Sequence, residues 1–76
     1  MVDPAEAQIE VYEALRAHFD RTDEHVNVEQ ITEMTALDEG AVKNALRVLQ
    51  QQHRINGVMI AEAAYPILVT SINHDV

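Results

Sequence analysis

Cysteine is absent from the 76 residues, which removes both a disulfide framework and any thiolate metal site. A chain this short buries only about 60% of the surface its unfolded form exposes, so apolar packing alone must hold the fold. Glycine is nearly as scarce. Gly40 and Gly57 stand apart, and no glycine-rich loop exists to cradle a phosphate. Serine occurs once, at Ser71 inside a β-branched run, with no motif presenting it as a nucleophile. No apolar run approaches the roughly 18 residues that span a bilayer. Met1-Val2-Asp3-Pro4 has neither the basic flank nor the apolar stretch of a signal peptide. These absences predict an intracellular, cytoplasmic chain without a membrane partner.

Cations are also few: five Lys and Arg face thirteen Asp and Glu, a net charge of −8. Affinity for nucleic acid starts from Lys and Arg replacing counterions on phosphates, so this balance argues against a generic nucleic-acid binder. The charge is unevenly spread. Residues 1–39 carry eleven acids against Arg16 and Arg21, a net of −9, whereas residues 40–76 carry Lys43, Arg47 and Arg54 against Glu62 and Asp75. Any anion-facing surface therefore belongs to the second half.

The four histidines, His18, His25, His53 and His74, never take the i, i+4 spacing with an intervening Glu of a zinc hydrolase. They read as surface or boundary residues. Carboxylate pairs are abundant, but a domain this small without a deep pocket leaves them as solvated charge. No metal, cofactor or catalytic residue is expected, and the chain reads as a binding module rather than an enzyme.

What is present is apolar patterning, with 47% of residues hydrophobic. Asp3-Pro4-Ala5-Glu6 is a helix start, Asp3 as N-cap and Pro4 at the first helical position, where its missing N–H costs nothing. The helix is predicted to run to Phe19 or Asp20. Ile9, Tyr12, Leu15 and Phe19 recur at helical spacing and form its expected core face. A second stripe of Ala7, Val11, Ala14 and His18 exceeds what one small core needs, and its small residues predict a homodimer interface. His25-Val26 is predicted to be a short extended piece. Asn27-Val28-Glu29-Gln30 then opens a second helix, to Met34 or Thr35, with Asn27 as cap and Gln30 at the third position. Leu37-Asp38-Glu39-Gly40-Ala41-Val42 repeats the logic with Asp38 as cap. The third helix, residues 38–53, buries Val42, Ala45, Leu46 and Leu49 and directs Lys43, Asn44, Arg47, Gln50 and Gln51 to solvent.

Arg54-Ile55-Asn56-Gly57 reads as a turn. Val58–Glu62 and Ile67–Ile72 read as the strands of a hairpin around Ala63-Ala64-Tyr65-Pro66, joined at its edge by His25-Val26. The predicted fold class is α+β, in the order α-β-α-α-β-β, as one domain over residues 1–76.

Val28–Leu37, with Ile31, Thr35 and Leu37, followed by Asp38–Leu49, with Val42, Leu46 and Leu49, resembles the winged helix-turn-helix family in its bacterial transcription-regulator branch. The run Tyr65-Pro66-Ile67-Leu68-Val69-Thr70 is similar to the wing strands of small bacterial members. The resemblance implies three helices with a small antiparallel hairpin wing, the third helix entering the DNA major groove. Carried onto this chain, the contact residues are Lys43, Asn44 and Arg47, with Gln50 or Gln51 further along. Arg can bridge guanine O6 and N7, Asn and Gln pair with adenine, and Lys suits phosphate. Asp38, Glu39 and the uncharged Ala63-Ala64-Tyr65-Pro66 tip depart from that pattern. Two functions stay open: a regulator binding double-stranded DNA, acting as a homodimer, and an acidic winged helix that binds a protein partner and no DNA.

Overall fold

In a computed structural model, which describes residues 3–73, each helix starts where a cap signal stands in the sequence. Helix α1 (Pro4–Arg21) follows Asp3, whose Oδ1 accepts a hydrogen bond from the Ala5 N–H at 2.8 Å. Strand β1 (Val26–Asn27) leads directly into helix α2 (Val28–Thr35). Here the capping box is complete: Asn27 Oδ1 accepts from the Gln30 N–H at 2.8 Å, and Gln30 Oε1 accepts from the Asn27 N–H at 2.9 Å. Helix α2 ends at Ala36, in the left-handed region at φ 59°. Helix α3 (Glu39–Gln51) starts after Asp38, which holds the cap position without a side-chain capping bond. The expected Asp38 cap is thus a backbone one, its carbonyl accepting from the Val42 N–H at 3.1 Å.

Strands β2 (Ile55–Val58) and β3 (Leu68–Ile72) complete a three-stranded antiparallel sheet in the order β1-β3-β2. Val26 pairs with Val69 and Ile55 with Ile72, and the β2–β3 register shifts between Asn56 and Gly57. The molecule is a small α+β domain of three helices and one sheet. Its core joins Leu15 of α1, Ile31 of α2, Leu46 and Leu49 of α3, and Val26, Ile55 and Val69 of the sheet, all essentially inaccessible. Asn73 ties the end of β3 to its surroundings. Its carbonyl accepts from the Tyr12 hydroxyl at 3.0 Å, its N–H donates to the Arg54 carbonyl at 2.8 Å, and its Nδ2 donates to the His53 carbonyl.

Three expectations need correcting. Helix α1 is turned relative to the predicted face: Ala7 and Val11 sit in the core beside Leu15, while Ile9 is 56% exposed. Tyr12 and Phe19 pack on the margin of that core. The small stripe is buried where α1 packs on α3, and it shares the core with the equally small Ala45. Ala7 and Val11 therefore offer nothing to a second copy, and only the half-buried Ala14 and His18 of the predicted dimer stripe retain access to solvent.

The hairpin also starts earlier than predicted. His53, at φ 59°, stops α3 after Gln51 and turns the chain, so Ile55-Asn56-Gly57 is strand rather than turn. A Cβ at Gly57 would stand 2.6 Å from the Leu68 carbonyl oxygen and 2.7 Å from Pro66 Cβ. Gly57 serves close approach of chains, not a turn. Of the predicted strand Val58–Glu62 only Val58 belongs to β2, and a long loop replaces the short tip. His74, read as a surface histidine, lies outside the described residues.

Candidate functional site

Lys43 and Arg47 lie on α3 and Arg54 just past its end, each with a partner inside the chain. Lys43 Nζ lies 3.0 Å from Glu39 Oε1, one turn back on the helix, and 5.4 Å from the centre of the Tyr65 ring. The hydrogen bond and charge of Glu39, followed by the charge of Tyr65, raise Lys43 above the usual lysine pKa. Arg47 Nη2 donates to Asn44 Oδ1 at 2.8 Å. Arg54 stacks on α1, its guanidinium carbon 4.3 Å from the centre of the Tyr12 ring.

Of the five predicted contact residues, Lys43, Asn44 and Arg47 share one stretch of α3 as expected. Asn44 and Gln51 are exposed, and Lys43 and Arg47 are half-buried. Gln50 departs from the prediction: its side chain turns inward, with Oε1 buried and without a hydrogen-bond partner among the described residues. Arg54 Nε is in the same position. On α1, His18 Nε2 lies 2.7 Å from the Glu24 carbonyl, so that nitrogen carries the proton and pins the loop after the helix. Its ring also meets Phe19 edge-on at 5.0 Å.

The surface that sequence reading missed is apolar. Val58, Met59 and Ile60 are three consecutive large side chains, 45%, 43% and 46% exposed, at the end of β2 and the start of the loop. Strand alternation over the predicted Val58–Glu62 would have buried part of this run; the earlier start of β2 leaves all of it outside. The Ile67 N–H donates to the Val58 carbonyl at 2.9 Å and the Ala63 N–H to the Ile60 carbonyl at 3.1 Å, so the segment is held at both ends. Between Val58 and Leu68 the one carboxylate is Glu62, and there is no Lys or Arg. Among the described residues no helix is long and apolar enough to cross a membrane, and no group of three or more His, Cys, Asp or Glu is placed to hold a metal ion.

Comparison with models of protein families, with curated proteins and with solved structures finds no match for this chain.

Proposed function

We propose that the chain is a winged helix-turn-helix module that binds a protein partner through its hairpin. In this reading α2 and α3 are the helix-turn-helix pair and β2, β3 and their loop are the wing, and the absence of cysteine suits a cytoplasmic setting. One observation carries it: the wing presents Val58, Met59 and Ile60 to solvent and no cation. A contiguous apolar segment on a small surface marks an interaction site, and a partner protein is what such a segment suits.

Charge bookkeeping points the same way. With Lys43 and Arg47 as the cations of the α3 face, a DNA complex would release about two counterions per copy, against roughly six to ten phosphate contacts in strong binders. Asp38 and Glu39 lie exposed at the start of that helix and oppose even those. The second reading, double-stranded DNA read by α3, is favoured by the placement of Lys43 and Arg47 one turn apart, beside Asn44.

Two measurements separate the readings. Random peptides selected on the chain, and counter-selected on an Ile60→Asp variant, should shift amides 57–61 of the labelled protein in NMR spectra. Mixed-sequence duplex at low salt should leave amides 38–52 unmoved. Salt-sensitive shifts across 38–52, with no peptide enriched, would give the function to DNA.

A further inference from the structure

We infer that Asn56-Gly57 is a self-deamidating site: when β2 opens, the Gly57 nitrogen displaces the Asn56 side-chain amide, and the product keeps β2 from closing again on β3. The four asparagines of the sequence are followed by Val28, Ala45, Gly57 and His74, so Asn56 alone precedes a residue without a side chain. A glycine nitrogen has no side chain beside it to hinder attack on the Asn56 Cγ. Water is the one co-reactant. The Gly57 nitrogen gives its proton to solvent base and bonds to Asn56 Cγ, and the Cγ–Nδ2 bond breaks with Nδ2 leaving as ammonia. Water then opens the cyclic imide, to an aspartate or to an isoaspartate whose main chain runs through the former side chain. Asn56 is exposed, so water reaches both steps.

The closed sheet holds the reaction back. Ring closure needs Asn56 Cβ and the Gly57 nitrogen eclipsed about the Cα–C bond, which the extended backbone of a strand does not provide. The side chain is pinned as well: Asn56 Nδ2 donates to Ser71 Oγ and to Asn73 Oδ1, both at 3.0 Å. Attack therefore waits for β2 to open, and a strand of 4 residues with a register shift beside Asn56 is suited to local opening. The product then opposes closure. An aspartate brings an oxygen where Nδ2 stood; Ser71 can turn its hydroxyl to donate to it, but Asn73 Oδ1 cannot. Asn73 keeps that oxygen forward because its own Nδ2 donates to the His53 carbonyl at 2.6 Å. Isoaspartate adds a carbon to the main chain beside Gly57, where even a Cβ would stand 2.6 Å from the Leu68 carbonyl oxygen. Both products break the tie between Asn56 and Asn73, so an opening of β2 that leads to reaction is recorded irreversibly in the chain.

The test incubates the intact chain in mildly alkaline buffer, folded and in concentrated urea. Arg54 is the last Lys or Arg in the sequence, so the tryptic peptide that begins at Ile55 carries Asn56 and Asn73, and its fragment masses place any change from amide to acid. Urea should speed the change at Asn56 roughly tenfold or more. In urea, where the fold plays no part, Gly57→Ala should slow it by a similar factor. Chain in which Asn56 alone has reacted, returned to buffer, should exchange amides 54–58 roughly tenfold faster than unreacted chain taken through the same urea. Equal rates in buffer and urea overturn the inference by showing that β2 holds nothing back. No acid at Asn56 in urea, or a rate there that Gly57→Ala leaves unchanged, overturns the chemistry. Exchange of the reacted chain that matches the unreacted one overturns the effect on the sheet.

Discussion

Ala36 ends α2 in the left-handed region, where an L-residue with a Cβ is strained by roughly 1–2 kcal/mol. Ala36→Gly removes that strain and gives back part of it as freedom of the unfolded chain, so a net gain of about 0.5–1 kcal/mol is expected. Thermal melting should register it as a rise of several degrees in a chain of this size. Gly57 behaves oppositely. Gly57→Ala drives a methyl against the Leu68 carbonyl and Pro66, and a loss of about 1–3 kcal/mol in urea unfolding is expected. At this scale the sequence was legible where chemistry is local: the Asn27 and Gln30 side chains each accept from the other's backbone N–H across one helical turn, and the pattern alone marks the pair. Asn56-Gly57 was misread because the same dipeptide serves turns and close chain approach, and the chain that approaches lies beyond the loop.

Helices fared better than strands at the scale of elements, since caps and a 3.6-residue period are written within each helix. The phase of α1 was missed nonetheless. Periodicity admits either Ile9, Tyr12 and Leu15 or Ala7, Val11 and Leu15 as the inner stripe, and size favours the first. What decides is how α1 packs on α3 and the rest of the core, which no single helix records. Val11→Arg, a monomerising change if that stripe lay outside, instead buries an unpaired charge at a fully inaccessible position. It should cost more than about 3 kcal/mol and abolish a cooperative melt. Leu46→Ala, at the centre of α3 and also inaccessible, should cost about 2–5 kcal/mol by the same measurement, as predicted from the helix register alone. The hairpin was legible as a hairpin, but its register was set by His53 turning the chain early, and nothing local announces a left-handed histidine.

For the molecule as a whole, the charge asymmetry read from the sequence puts Lys43 and Arg47 on α3 and Arg54 just before β2, and none on the hairpin. Their aromatic partners were not legible. Tyr65 reaches Lys43 from the hairpin, and Tyr12 meets Arg54 from α1, contacts that exist only once the elements pack. Those partners bear on the last prediction, which concerns what the α3 face does towards DNA. Asp38→Asn with Glu39→Gln takes the net charge from −8 to −6, releases Lys43 from its ion pair, and leaves the residue-38 carbonyl able to accept from the Val42 N–H. A solvent-screened ion pair contributes little to stability, so the fold should survive with its melting little changed. If the wing is the binding surface and α3 is not, the double variant should still show no anisotropy change with labelled mixed-sequence duplex at low salt, because two cations remain against the field of the acidic half. If α3 does read DNA, removing two opposing carboxylates should tighten binding to every sequence, with a salt slope near −2 set by Lys43 and Arg47. Arg47→Ala should then weaken specific binding by about 1–3 kcal/mol, and Lys43→Ala should weaken all binding and flatten the slope. A duplex signal with that slope therefore gives the function to α3, and no signal from the double variant at low salt leaves it with the wing.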